Sequence, residues 1–279
     1  MRRRRIAAPS RVSARVAAAI AAMAFILVPL AATAQAAATA QATAPAAAGA
    51  ADRATPPRIT ASTAWTAAIA EAAGAEVGRI LAPVELRHPP EYDFRPGDIR
   101  YAVQADYLIW AGYEGFMRSL FEAASVTDDR ILQIHTNNTP PILKNVVRDL
   151  STTLGTLDRF SRWEHELDEL TDALLAGAQR ADVDATRAVV HMHYRPLAEW
   201  LGYEIVAELT MSELTPTRLR EILALEPDLV IDNWHNPTGE PLRNDVPAYV
   251  TLINFPGRDG TRTLLDVLTY NGGRLGLLE

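Results

Sequence analysis

Hydrophobic and polar positions alternate in two matching sets along residues 58–279. Short β-rich runs stand at 58–63, 77–83, 105–111 and 130–136, and again at 187–193, 203–209, 228–234 and 248–254. Helical periodicity fills the gaps, around 65–73, 97–104 and 115–124 in the first set and 196–201 and 217–225 in the second. Strands that alternate with helices predict parallel sheets with crossover helices. Between the sets, Pro140 and Pro141 suit a first helical turn, and Leu143, Val146, Val147, Leu150 and Leu154 follow at helical spacing. A second stripe with Trp163, Leu167, Leu170 and Leu174 comes after Gly155. The fold class expected is therefore α/β: two lobes, each a roughly four-stranded, mostly parallel sheet with flanking helices, joined by a long backbone helix. In open sheets of this kind ligands sit beyond the carboxyl ends of the strands, so the interlobe cleft is the expected site.

The remaining residues precede this pattern. Residues 1–34 carry Arg2, Arg3, Arg4, Arg5, Arg11 and Arg15, then an apolar stretch, then Ala32-Thr33-Ala34. That order predicts a cleaved signal peptide and an exported, periplasmic protein. Residues 35–57 are almost all Ala, Thr and Pro, the composition of a disordered tether. The expected divisions are thus 1–34 leader, 35–57 tether, 58–140 N-terminal lobe, 141–180 linking helices and 181–279 C-terminal lobe.

The chain has no cysteine, which rules out disulfides, thiolate metal sites, cysteine nucleophiles and a lipoprotein anchor. Any metal must use His, Asp or Glu. Of the 27 basic residues six lie in the leader, leaving 21 against 34 acids, a mature formal charge of -13. Such a surface disfavours nucleic acid and suits a cationic ligand. No Gly-rich phosphate loop or nucleophile elbow is present, and the protein is not expected to be an enzyme.

The six histidines fall in a pattern. His135 ends the fourth strand run, His191 and His193 end the fifth, His235 follows the seventh, and His88 stands in the loop after the second. Imidazoles at strand ends of both lobes would converge in the cleft, and neutral imidazole is the commonest Zn²⁺ ligand. His165, between Glu164 and Glu166, reads as a surface residue of the linking helix.

With these positions in place, the chain resembles the zinc/manganese solute-binding proteins of ABC transporters (TroA-like, cluster A-I). The family's first-lobe motif, roughly DPHxYEPxPSD followed by a strand reading ADLVVYNG, has its counterpart in HPPEYDFRPGD at 88–98 and ADYLIWAGYE from Ala105. His135 followed by Pro140, and His191 placed eleven residues before Gly202, match two further ligand positions. The resemblance covers 58–279. Two positions depart from it: Pro90 stands where the first His should, with His88 two residues earlier, and Asn254 falls where the last carboxylate belongs. The resemblance implies a metal site drawn from His88, His135, His191, Asp232 and His235, with His193 and Glu91 ranked behind them. The cargo it implies is Zn²⁺, with Mn²⁺ as the alternative, and no organic cofactor. The implied partners are an ABC permease with its cytoplasmic ATPase, the receptor itself being a monomer. Affinity is expected to fall as pH drops through about 6, because neutral His must bind. Two other readings stay open: a receptor for a metal chelate such as a siderophore, haem or corrinoid, which a partly lost ligand set would suit, and a secreted metallohydrolase using His191-Met192-His193.

Overall fold

The computed structural model describes residues 56–278, so the expected leader and all of the expected tether except Pro56 and Pro57 lie outside the described residues. The first lobe holds β1 (Arg58–Ala61), α1 (Ala64–Ala72), β2 (Glu76–Ile80), α2 (Pro96–Gln104), β3 (Tyr107–Trp110), α3 (Gly115–Ala123) and β4 (Ile131–Gln133). The second holds β5 (Arg187–His191), α6 (Arg195–Leu201), β6 (Glu204–Leu209), α7 (Pro216–Leu223), β7 (Leu229–Asn233) and β8 (Ala248–Leu252). Between them run α4 (Pro140–Leu154) and α5 (Leu157–Arg180), and α8 (Leu264–Arg274) closes the chain.

Both sheets are four-stranded and parallel, with the same strand order: β2-β1-β3-β4 and β6-β5-β7-β8. The eight hydrophobic runs each form a strand, yet every strand is shorter than its run. The apolar residues beyond the last ladder bond enter buried connections instead, as Leu81 and Ala82 do after β2 and Ile253 after β8. In this order the connections reverse direction between β1 and β3 and between β5 and β7. The crevice at such a switch point is where ligands reach an α/β sheet.

Apolar faces explain the layering. Ile59 and Ile109 lie on one side of the first sheet, against α1 and α4, while Leu108 and Trp110 lie on the other, against α2 and α3. The second sheet repeats this, with Val190 and Ile231 facing α6 and Val189 and Val230 facing α7. The spine that crosses between lobes is α5, whose 24 residues span about 36 Å. Its first half, through Phe160 and Leu167, is buried in the first-lobe core; its second half, through Leu174 and Ala178, is buried in the second. Helix α4 stays with the first lobe through Leu143, Val147 and Leu150, and ends at Gly155 in the left-handed conformation that glycine adopts without steric cost.

Helix α8 has no counterpart among the expected elements. Asn271, Gly272 and Gly273 weaken its helical pattern, since glycine in a helix costs about 1 kcal/mol relative to alanine. Packing overrides that propensity: a Cβ at Gly272 would come within 2.6 Å of Leu174 on α5 and 2.7 Å of Leu278. The sequence did contain a start signal, a capping pair at Thr263, whose hydroxyl accepts from Asp266 N–H while the Asp266 carboxylate accepts from Thr263 N–H. Leu264 and Leu268 bury themselves in the first-lobe core, so the chain returns there after completing the second sheet.

Candidate functional site

The carboxyl ends of the central strands carry the polar groups. In the first lobe these are Ser62, Thr63 and Thr66 after β1 and Glu114 after β3. Glu114 is fully buried; its Oε1 accepts from Ser62 Oγ at 2.5 Å and both of its oxygens accept from Ala111 N–H. Ser62 Oγ also meets Thr66 Oγ1 at 3.0 Å. These bonds tie the start of α1 to the β3–α3 connection. Glu114 did not emerge from the sequence, although an acid three residues past a strand end is the signal that could have found it.

In the second lobe, parallel register pairs Val190 with Ile231, so one step further on stand His191, the last residue of β5, and Asp232, the last but one of β7. Period two places both on the side of Val189 and Val230. His191 is wholly buried, its ring 4.9 Å from that of His193. Burial, reinforced by the His193 charge, lowers its pKa to about 4. Its Nδ1 accepts from the His193 backbone N–H at 3.3 Å, while Nε2 is buried without a partner. A neutral imidazole that accepts at Nδ1 carries its proton on Nε2. Ligation through Nε2 therefore requires that long, weak bond to be given up.

Asp232 is wholly buried and its carboxylate is fully engaged. Oδ1 accepts from Asn233 N–H at 2.7 Å, and Oδ2 accepts from Gly239 N–H at 2.8 Å and from Tyr249 Oη–H at 2.5 Å. Burial raises its pKa against the pull of these donors. The residue folds the loop 234–239 back onto the sheet.

That loop presents His235, which is 6% exposed. Its ring stacks on Phe255 at 3.9 Å and stands edge-on to Trp234 at 5.0 Å. Neither ring nitrogen has a hydrogen-bond partner. Burial first, then the positive charges of Arg87, His88 and Arg258, push its pKa down to about 3, against the opposite pull of the Arg87 backbone carbonyl near the ring. His88 and His235 thus come from different lobes into one electrostatic neighbourhood.

The segment that carries His88 is fastened across the lobe junction. Arg87 donates from Nη2 at 2.6 Å and from Nε at 3.2 Å to the carbonyl of Trp234, and its guanidinium lies 5.0 Å from the Trp234 ring centre. Arg258 approaches the same ring at 4.2 Å. Gly257, at φ +125°, leaves room for Val84: a Cβ there would meet Val84 Cγ1 at 2.6 Å. A second fastening passes through Asn138, which accepts from Trp65 Nε1–H at 3.0 Å and donates to the Asn254 carbonyl at 2.7 Å. Arg87, Arg258 and Asn138 were not singled out in the sequence, though Arg87 adjoins a singled-out histidine.

His88, His135, His193 and Glu91 are all exposed, and Asn254 is buried with its backbone carbonyl in the Asn138 bridge. Among the described residues, no three His, Asp or Glu side chains stand together as an ion site. What the junction offers is a buried imidazole without a well-formed hydrogen bond at either nitrogen, an exposed second imidazole, His88, next to the Arg87 that bonds to Trp234, and two guanidiniums against the Trp234 ring.

No family profile matches the chain, and no curated protein sequence does. Solved structures match its shape. A protein from Treponema pallidum described as the periplasmic zinc-binding protein TroA has 14% identity and a TM-score of 0.60, covering 80% of this chain and 100% of its own. The solute-binding protein FpvC from Pseudomonas aeruginosa, in complex with Ni²⁺, has 16% identity and a TM-score of 0.61, covering 79% and 96%. A Mn-bound periplasmic metal-binding protein from Candidatus Liberibacter asiaticus has 14% identity and a TM-score of 0.60, covering 78% and 98%. The chain has their two-lobed fold, with a four-stranded parallel sheet in each lobe.

Proposed function

We propose that the protein is an exported receptor that captures a divalent transition metal ion at the lobe junction and delivers it to an ABC permease driven by a cytoplasmic ATPase. The observation that carries this reading is His235, buried with both ring nitrogens unpaired, beside a first-lobe segment that brings His88. A buried polar atom without a partner costs about 1–3 kcal/mol, so a site that keeps one is suited to a ligand that repays it. An imidazole kept neutral by burial has its lone pair ready for a metal at neutral pH. The fold supports the reading too, because its solved counterparts are described as binding Zn, Ni²⁺ or Mn.

In this proposal His88 and His235 form the centre of the site. His135 and His191 are the further imidazoles, His191 after release of its Nδ1 bond, with His193 and Glu91 at the rim. Asp232 serves first by shaping the loop that presents His235. Imidazole ligation favours Zn²⁺ over hard Mg²⁺ and Ca²⁺, and Mn²⁺ would ask for more free carboxylate than this junction provides. The reading is one of capture without chemistry, consistent with a protein that is not an enzyme.

The test is elemental analysis of the purified protein together with calorimetry against Zn²⁺, Mn²⁺ and Ni²⁺. Zinc should bind one to one and raise the melting temperature, since a ligand that prefers the folded state stabilises it. His235→Ala and His88→Ala should each weaken zinc by at least about tenfold, a loss of about 1.4 kcal/mol. Unchanged affinity in both variants, or no binding of any of the three ions, would overturn the reading.

A further inference from the structure

The junction beside His235 carries more positive charge than suits a bare cation. Arg87 belongs to the first lobe and Arg258 to the second, and their guanidinium carbons lie 5.0 and 4.2 Å from the centre of one ring, that of Trp234. The His235 ring is 5.0 Å from the same indole. Among the described residues Arg87 makes no ion pair, its Nε and Nη2 donating to the Trp234 carbonyl, which leaves three of its five N–H donors free. Arg258 has only its neighbour Asp259, at 3.1 Å.

Two guanidiniums gathered on the indole that the His235 ring touches oppose a doubly charged ion bound there, because like charges repel. Protein carboxylates offset this repulsion only in part, through Asp259 beside Arg258. Asp232 spends both oxygens on Asn233, Gly239 and Tyr249, and Asn254 is uncharged. Among the described residues no three His, Asp or Glu side chains form a cluster, so unless His135 or His191 moves in, the coordination sphere lacks donors as well as negative charge.

One class of molecule supplies both. A small polycarboxylate turns a divalent ion into a complex of net negative charge and fills coordination positions with its own oxygens. Its remaining oxygens suit planar guanidinium donors, which pair with carboxylates through two parallel hydrogen bonds. Resting on the metal-capture reading above, we propose that this site takes its metal together with a small polycarboxylate anion: His88 and His235 bind the ion, and Arg87 and Arg258 hold the carboxylate oxygens not spent on it. The overall charge of the chain is negative, at -7, so attraction for such an anion must come from these local cations.

Calorimetry separates the sources. Zinc alone in carboxylate-free buffer, zinc with citrate, and citrate alone are titrated into the purified protein. Zinc with citrate should bind at least about tenfold more tightly than zinc alone, and citrate alone should bind more weakly than the complex. Arg258→Gln should weaken the zinc–citrate complex while strengthening zinc alone, because it removes both an anion contact and a repulsion. Opposite signs in one variant cannot come from loss of folding. Arg258→Lys, which keeps the charge but not the planar fork, should fall between the parent and Arg258→Gln with citrate present. Zinc alone binding as tightly as the complex, citrate stripping zinc from the protein, or Arg258→Gln shifting both affinities in one direction would overturn the proposal and leave metal capture standing. Binding of neither zinc nor its citrate complex would overturn both.

Discussion

Arg87 of the first lobe caps the backbone carbonyl of Trp234 in the second with two hydrogen bonds, of 2.6 and 3.2 Å. A strand-end loop in one lobe is thereby held by the loop that precedes α2 in the other, and His88 and His235 are the next residues along each chain. Arg87→Ala should loosen this junction at modest cost, about 1 kcal/mol, because the guanidinium is exposed and screened. Gly257→Ala should cost more, about 1–3 kcal/mol, since it combines a strained backbone with a collision against Val84. Urea denaturation of both variants orders the two effects; a larger loss for Arg87→Ala would contradict the role given to Val84 and Gly257.

Replacing Asp232 by Ala leaves the N–H groups of Asn233 and Gly239 and the Tyr249 hydroxyl without their acceptor. A loss of about 2–4 kcal/mol of stability is expected. Tyr249→Phe removes one of the three donors and should cost about 1 kcal/mol. Chemical denaturation without metal measures both, and a stability equal to the parent's would mean that the carboxylate is held for a ligand and not for the loop.

The depressed histidines set an acid limit on the protein without ligand. Their folded pKa values, about 4 for His191 and about 3 for His235, lie below the unfolded value near 6.5. Between these values the unfolded chain binds more protons than the folded one. Stability is therefore full above about pH 6.5 and falls as pH drops towards 4 and then 3. Melting temperatures from pH 7.5 to 5, before most carboxylates titrate, should decline, and His191→Gln or His235→Gln should flatten the slope. A level profile in the parent would contradict the burial of these rings. Proton competition at His235 should also begin well below the pH of about 6 that an ordinary imidazole implies.

The architecture was legible because it is written in periodicity. Eight hydrophobic runs, the proline-started α4 and the spine α5 follow from side-chain alternation and helical spacing, which burial enforces one residue at a time. Helix α8 was not legible, since its interior Gly272 is required by contact with Leu174 and Leu278, and contact is a property of the folded chain. The site was legible only in part for the same reason. Strand-end position drew attention to His191 and His235, but not to the tautomer that His193 N–H imposes on one or the unpaired nitrogens of the other. Nor does a one-dimensional pattern reveal that Arg87 and Arg258, 171 positions apart by subtraction of their numbers, converge on one indole.

Leu268→Ala should test how far the last helix supports the first lobe. Leu268 is 2% exposed and belongs to the core formed with Ile69, Val147 and Phe160. Truncating it should cost about 2–5 kcal/mol, as for other buried leucines. Hydrogen exchange should show the loss in α1 and α4 as well as in α8; a loss confined to α8 and the second lobe would contradict this packing.

The position of α8 also bears on the order in which the molecule can be made. Its leucines are synthesised after every strand of both sheets, and they plug a core whose other walls come from elements between β1 and α5. The first lobe must then wait, incompletely sealed, until α8 emerges, so it cannot finish folding before the whole second sheet has been made.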